Sequence, residues 1–324
     1  MRWLKRTEAG KRLRIFYASD VHGSDVCWRK FVNAARHYEC EALIMGGDLT
    51  GKALVPIVHR NGGYTAWLGG EERHARSAEE VDELERAVRM NGFYPLQATE
   101  DELRALRDSE DVREQAFARA MTEALEKWLA FADERLGGSD VGVFVMAGND
   151  DPWSVDPVLE QSAAVTACDG RVVRIGDREM ISCGYSNRTP WNSPRELDED
   201  ELYSRIRALA EQLEAPDTAI FNLHVPPYDS GLDTAIELDD ELRPVLHGGR
   251  PHEIPVGSRA VRQLLEEFEP ALALHGHIHE SRGIARIGRT VAINPGSTYN
   301  AGRIDGCVID LTATGVRSYR LVSG

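Results

Sequence analysis

Five short apolar runs set the frame of this chain, and each stops at a cluster of polar residues. The first, Leu13 to Ser19, ends at Asp20-Val-His22-Gly23, and the second, Ala42 to Met45, ends at Gly46-Gly47-Asp48. Val141 to Ala147 gives way to Gly148-Asn149-Asp150-Asp151-Pro152, and Thr218 to Leu223 gives way to His224-Val-Pro-Pro227. The fifth run, from Leu272, arrives at His275-Gly-His277-Ile-His279. Apolar runs of this length, bounded by turn signals, read as strands buried on both faces. Had the last strand continued through its three histidines, all three would share one face. Gly276 argues for a bend after His275, so that His277 and His279 approach a common centre from a loop.

Helical patterns separate the runs. Ser24 is placed to cap a helix with Trp28, Phe31, Val32 and Ala35 on one face, and strand, turn and helix make the opening of a β-α-β unit. From Lys52 to Leu136 the rhythm changes. Lys52 to Val58 and Tyr64 to Leu68, joined through Asn61-Gly62-Gly63, predict a hairpin. Ser77-Ala-Glu-Glu80 announces a helix over Val81 to Met90, and Thr99-Glu-Asp-Glu102 announces a long one reaching Arg135. Residues 52–136 therefore read as a hairpin plus helical insertion within one domain spanning 1–324, either a cap over the site or a surface decoration. Val165 to Gly184 is β-rich, and Ser193-Pro-Arg-Glu196 predicts the cap of a helix running to about Leu213. Tyr228 to Gly257 is turn-rich and acidic, and Ser258 predicts the cap of a helix to Phe268. Ile284 to Leu321 reads as a small antiparallel sheet. No repeat, low-complexity segment or interdomain linker interrupts the chain.

Composition narrows the class. With 42% apolar residues the chain has ample material for a conventional core. No apolar segment approaches the roughly 20 residues that span a bilayer. Met1 to Arg14 alternates charges with single apolar residues and lacks the form of a signal peptide, so a cytoplasmic protein is expected. The 5 cysteines, Cys27, Cys40, Cys168, Cys183 and Cys307, form no Cys-x-x-Cys pair and read as core residues. A formal net charge of −15 disfavours polyanions and anionic membranes as partners and favours small ligands, or ligands held through metals.

In open α/β sheets, sites form at the carboxyl ends of the strands, so the five polar clusters can converge. Asp20, His22, Asp48, Asn149, His224, His277 and His279 offer imidazoles, carboxylates and one amide oxygen, with no thiolate. That mixture suits Mn, Fe, Zn or Ni rather than a structural zinc or a calcium cage. It exceeds the needs of one tetrahedral ion. Two ions about 3.5 to 4 Å apart, bridged by a carboxylate, would use the whole set and suit in-line displacement at phosphorus.

The ordered motifs Asp20-Val-His22, Gly47-Asp48, Gly148-Asn149-Asp150-Asp151, His224 and Gly276-His277-Ile-His279 resemble those of the calcineurin-like metallophosphoesterases. The resemblance covers nearly the whole chain outside the insertion. It implies a two-sheet α/β/β/α sandwich and two divalent or trivalent metal ions. Asp20, His22 and His279 would hold one ion, Asn149, His224 and His277 the other, and Asp48 would bridge them. It also implies hydrolysis of a small-molecule phosphate ester by hydroxide generated at the metals, with Mn the first metal to supply in vitro.

One position departs from the family pattern. Asp150 stands where many relatives have a histidine that protonates the leaving group. A carboxylate beside two cations is a poor general acid and repels a monoester dianion more than a diester monoanion, which points to a phosphodiesterase. The rival readings are a phosphomonoesterase and, in a different class, a non-catalytic metal-binding interaction module. Asn187, Arg188 and Trp191, in a polar and aromatic loop, are the candidates for substrate contact. His275 reads as a strand residue, and His37, His59, His74, His247 and His252 read as surface or packing histidines.

Overall fold

The computed structural model describes residues 12–60 and 62–324. Most of the charged opening stretch and the turn residue Asn61 lie outside them.

All five apolar runs form strands, and they divide between two six-stranded sheets. In the first, β1 (Leu13–Ala18) pairs in parallel with β2 (Ala42–Met45), which pairs in parallel with β7 (Gly142–Val145), and β8 (Val165–Ala167) closes that side. On the other side of β1, β21 (Asp305–Thr312) and β22 (Gly315–Ser323) add antiparallel strands. In the second sheet, β10 (Arg178–Cys183), β13 (Ile220–Leu223), β18 (Leu272–Leu274) and β20 (Thr290–Asn294) run parallel. Antiparallel β9 (Val172–Ile175) and β19 (Gly283–Ile287) form its edges.

Strand periodicity explains why the runs are continuously apolar, since each face of each sheet is covered. Ile15 and Tyr17 of β1 point into the core between the sheets, with Ile44, Phe144, Met180, Ile220, Leu272, Ile293 and Ile309. Phe16 and Ala18 point outward, into a core capped by α1 (Asp25–His37), α4 (Glu110–Leu136) and α5 (Val155–Leu159). On the far side α6 (Glu199–Ala210) and α7 (Arg259–Phe268) cover the second sheet through Leu202, Ile206, Val261 and Leu264. The result is the expected α/β/β/α sandwich. Ser24 and Ser258 cap α1 and α7 as the sequence predicts, accepting from the amides of Cys27 and Val261.

Residues 52–136 hold more strand than the sequence predicts. The hairpin of β3 (Leu54–Arg60) and β4 (Gly63–Leu68) is present, but β5 (Glu71–Ala75) and β6 (Tyr94–Ala98) extend it to a four-stranded sheet in the order β5-β4-β3-β6. That sheet and α2 (Ala78–Met90) share a core of their own, including Val55, Ile57, Val81, Leu84 and Val88. The long helix breaks at Ser109 into α3 (Glu100–Asp108) and α4, because the Ser109 hydroxyl accepts from the Val112 amide and starts a new helix. α4 is not part of a separate appendage. Its Trp128 stacks on Trp28 of α1 with ring centroids 5.1 Å apart, and the Trp28 indole donates to the Trp128 carbonyl at 2.8 Å. Parallel β2 and β7 require a crossover, and α4 supplies it.

Two further expectations are corrected. Ser193 to Glu196 does not cap α6: Asp198 takes the N-cap position, and Glu196 lies in the short strand β12 (Glu196–Leu197), paired with β11 (Ser186–Asn187). The Glu196 carboxylate accepts from the amides of Thr189 and Ser193 instead, shaping the loop. The C-terminal strands do not make one sheet of their own, because β19 and β20 join the second sheet while β21 and β22 join the first. The acidic stretch before α7 forms short pairs of β14 (Thr234–Ile236) with β17 (Glu253–Pro255) and β15 (Leu246–His247) with β16 (Arg250–Pro251). Among the described residues no helix is long and apolar enough to cross a membrane.

Candidate metal centre

The carboxyl ends of β1, β2, β7, β13 and β18 open onto one place, where the two sheets meet. Hydrogen bonds between the loops carry the strand pairing past the strand ends. The amides of Asp20 and His22 donate to the carbonyls of Gly47 and Asp48, each at 3.0 Å, and the Gly276 amide donates to the His224 carbonyl at 2.9 Å. Each loop must then turn sharply inward. Asp20, His22, Asp48 and His277 all have positive φ, between 38° and 65°, a region that side chains other than glycine rarely occupy. Such strain persists where surrounding contacts over-determine it, and it collects at functional sites.

Glycines make the convergence possible. A Cβ on Gly148 would lie 2.2 Å from Asp48 Oδ1, and one on Gly276 would lie 2.3 Å from Asp20 Oδ2. A Cβ on Gly47 would lie 2.8 Å from His224 Nδ1. The sequence reading of these glycines as turn residues is incomplete, because they also leave room for ligand-bearing side chains.

Three overlapping groups have donor atoms within 4.8 Å of one another: Asp20, His22 and His279; Asp48, His224 and His277; and His22, Asp48 and Asp150. His22 Nε2 lies 3.1 Å from His279 Nε2 and 3.6 Å from Asp48 Oδ2. His224 Nε2 lies 3.4 Å from Asp48 Oδ1 and 3.9 Å from Asp20 Oδ1. Asn149, on the same loop as Asp150, leaves its buried Oδ1 without a hydrogen-bond partner, and His224 Nε2 is likewise buried and unpartnered. The Asn149 oxygen offers lone pairs that a cation would satisfy, and the His224 nitrogen becomes a ligand once its proton is displaced.

Electrostatics support the same fit. Burial pushes the His224 imidazole toward neutrality, but the close carboxylates of Asp48 and Asp20 outweigh burial and raise it to about 10. Burial also works against the Asp20 charge, yet the imidazoles of His279, His224 and His22 hold that carboxyl well below its usual range. Burial pushes Asp48 up to about 6 against the opposing pull of His224. Burial lowers His22 and His277 to about 3 each, leaving both imidazoles neutral and able to ligate. A pocket that draws a proton onto a buried imidazole has negative charge to spare for a divalent cation.

Asp150 is ionised. Burial raises its carboxyl, but the Lys52 ammonium and the Ser193 hydroxyl outweigh that and hold it at about 2. Lys52 Nζ lies 2.9 Å from Asp150 Oδ2, and the Ser193 hydroxyl donates to Oδ1 at 2.7 Å. Sequence reasoning missed both partners. The neighbouring Asp151 faces the other way: its carboxylate accepts from the amides of Leu49, Thr50 and Gly148 at 2.9, 2.8 and 2.7 Å, tying the β2 and β7 loops together.

The proposed substrate loop reaches the cluster through Ser193. The Arg188 guanidinium pairs with Asp198 at 2.9 Å, the Asn187 amide donates to the Val256 carbonyl at 3.3 Å, and Trp191 is 62% exposed. His275 is buried, with Nδ1 2.8 Å from the Leu223 carbonyl. The Tyr299 ring, unremarked in the sequence, lies against His22 and His279, with centroids 4.8 and 5.9 Å away.

No protein-family model matches the chain. An uncharacterized protein of Methanocaldococcus jannaschii, MJ1162, is 30% identical over 155 residues, which take in 47% of this chain. The match spans 63% of that relative's length. Among solved structures, TT1561 of Thermus thermophilus is 13% identical, with 97% of this chain and 99% of that one covered at a TM-score of 0.54. This likeness is one of fold. The structure of an archaeal phosphodiesterase covers 96% of this chain at 11% identity and a TM-score of 0.34.

Proposed function

We propose that the protein is a dinuclear-metal phosphoesterase that hydrolyses small-molecule phosphate esters and prefers diesters. The observation that carries the reading is the convergence of donors from five strand ends, with the buried Oδ1 of Asn149 and Nε2 of His224 left without a hydrogen-bond partner. In this reading Asp20, His22 and His279 would hold one ion, Asn149, His224 and His277 would hold the other, and Asp48 would serve both. Mn, Fe, Zn or Ni would suit the donors. Such ions supply Lewis acidity toward phosphoryl oxygens and acidify water.

The residues of the chain do the rest. Asp48 and Asn149 would set the positions of the ions, and the Asp150 amide, donating to Asp48 Oδ1 at 3.0 Å, fixes the Asp48 carboxylate. Asp150 itself holds no proton near neutral pH, so it does not serve as a general acid. An ester that needs no such help is favoured, and that supports diesters with acidic leaving groups. The monoesterase alternative gains from one observation: the Lys52 ammonium offsets the Asp150 charge, which weakens repulsion of a dianion. Trp191, exposed beside Ser193, is proposed to meet the leaving group, with Asn187 and Arg188 flanking it. The acidic balance disfavours nucleic acid as substrate. A cytoplasmic location is supported by the buried, free state of Cys27, Cys40, Cys168, Cys183 and Cys307.

The test is hydrolysis of bis-p-nitrophenyl phosphate against p-nitrophenyl phosphate with Mn²⁺, beside metal analysis. Diester turnover above monoester turnover, abolished in His277→Ala, is expected. Absence of bindable metal would instead favour a non-catalytic module.

A further inference from the structure

We propose that Lys52 grips the phosphoryl group of the substrate and that Asp150 holds it in position to do so. This rests on the phosphoesterase reading above and names the residue that selects the anion.

Lys52 leaves an anchored backbone. The amides of Leu49 and Thr50 donate to Asp151, and the Gly51 amide donates to the Tyr94 hydroxyl at 2.8 Å. A Cβ on Gly51 would lie 2.3 Å from the Gly92 carbonyl oxygen, so this turn is held hard against the 91–92 turn. From that base the side chain reaches Asp150 Oδ2 at 2.9 Å. The other Asp150 oxygen is taken by the Ser193 hydroxyl at 2.7 Å and the Asn149 amide at 3.1 Å. The carboxylate is therefore fixed from two loops, and it fixes the ammonium.

The ammonium is not used up by this contact. It carries three donors, and Asp150 engages one oxygen's worth of them. Lys52 remains 49% exposed while His22, Asp48 and His224 are buried, so its spare donors are open to an incoming anion beside Asp150. Its charge also reaches His22, His279 and Tyr299. Among the described residues, two arginines of the adjoining 188–195 loop are engaged elsewhere. Arg195 is buried among Asp156, Asp169 and the carbonyls of Asp151 and Pro152, and Arg188 is turned to Asp198.

A phosphoryl group docked on ions beside Asp48 and Asn149 would bring an oxygen toward Asp150. A bare carboxylate there would repel it; the Lys52 ammonium turns the same place into a donor. The plain alternative is a tether, an ion pair that only ties the start of the appended sheet to the β7 loop.

Binding of inorganic phosphate to the Mn²⁺-loaded full chain, by titration calorimetry, separates the two, with metal content measured on each sample. Lys52→Met is expected to keep the wild-type metal content and to weaken phosphate binding at least about ten-fold, the loss of one charge-assisted hydrogen bond. Lys52→Arg is expected to restore most of the affinity. Equal phosphate affinity in wild type and Lys52→Met at equal metal content would overturn the proposal and leave the tether. Loss of metal from Lys52→Met would overturn it too, by assigning Lys52 to assembly of the centre. A wild-type protein that takes up no metal would bring down the phosphoesterase reading itself, and this proposal with it.

Discussion

The His224 ring bridges Gly46 and Asp48: its Nδ1 lies 2.7 Å from the Gly46 carbonyl oxygen, and its Nε2 lies 3.4 Å from Asp48 Oδ1. A carbonyl only accepts, so Nδ1 bears hydrogen and Nε2 is the atom offered to the carboxylates. Burial opposes a charge on this ring, but Asp48 and Asp20 outweigh it and raise the imidazole to about 10. In the metal-free protein Nε2 is then protonated at neutral pH, and a metal must displace that proton. Calorimetric titration with Mn²⁺ in buffers of different ionisation enthalpy should show net proton release, and apparent affinity should climb as pH rises. Metal uptake that is proton-neutral at neutral pH would contradict this assignment. The sign for the metal-free fold is the reverse. Because the folded value lies above the ordinary 6.5, the contribution to stability is complete below that pH and fades as pH rises through about 10.

Gly148→Ala should empty the centre while sparing the fold. The added methyl would sit 2.2 Å from Asp48 Oδ1 and 2.3 Å from the Asp48 amide nitrogen, and both belong to a fixed loop. Strain of this kind typically costs about 1–3 kcal/mol. Metal analysis should show loss of Mn²⁺ relative to wild type, with unchanged far-ultraviolet dichroism. Full occupancy would mean that the β7 loop yields more readily than its contacts indicate.

Asp151→Ala should be among the more destabilising single changes in the sandwich. It strips the partners from the amides of Leu49, Thr50 and Gly148 and from the Thr50 hydroxyl, all in buried surroundings. Hydrogen bonds to a charged group are worth roughly 1.5–3 kcal/mol each, and they are not additive, so a loss of about 3 kcal/mol or more is expected in urea unfolding. A loss under about 1 kcal/mol would show that water replaces the carboxylate.

Asp150→His places an imidazole where the structure has an ionised carboxylate. Monoester hydrolysis should rise relative to diester hydrolysis, because an imidazole can protonate the departing oxygen where the ionised carboxylate cannot. The ratio of the two p-nitrophenyl substrates reads this directly. An unchanged ratio would remove Asp150 from the account of substrate preference.

The strands that carry the site were legible because burial on both faces leaves an unbroken apolar signature, and polar residues at their carboxyl ends stand out against it. The appended sheet left weaker marks. β5 reads Glu-Glu-Arg-His-Ala with four of its five residues exposed, so no alternation betrays it. β6 contains Pro95 and pairs on one side only, with β3, an edge position where a missing amide is tolerated. The break at Ser109 lacks glycine or proline and rests on one hydroxyl. Lys52 and Ser193 were invisible as site residues for a different reason: the one opens a predicted hairpin and the other a helix-cap pattern, and their meeting at Asp150 depends on how three loops fold over one another.

The packing of Gly23, Gly51 and Gly92 bears on how the molecule opens. A Cβ on Gly23 would meet Gly51 Cα at 2.7 Å, and one on Gly92 would meet the His22 carbonyl oxygen at 2.4 Å and the Tyr299 ring at 2.8 Å. Main chain lies directly on main chain there, with no side chain between to act as a compliant layer. The turn of the appended sheet and the loop bearing His22 are thus denied independent fluctuation and form one cooperative unit. Slow amide exchange should report a shared opening free energy on both sides of that joint, so whatever loosens the appended sheet also loosens the loops of the candidate metal centre.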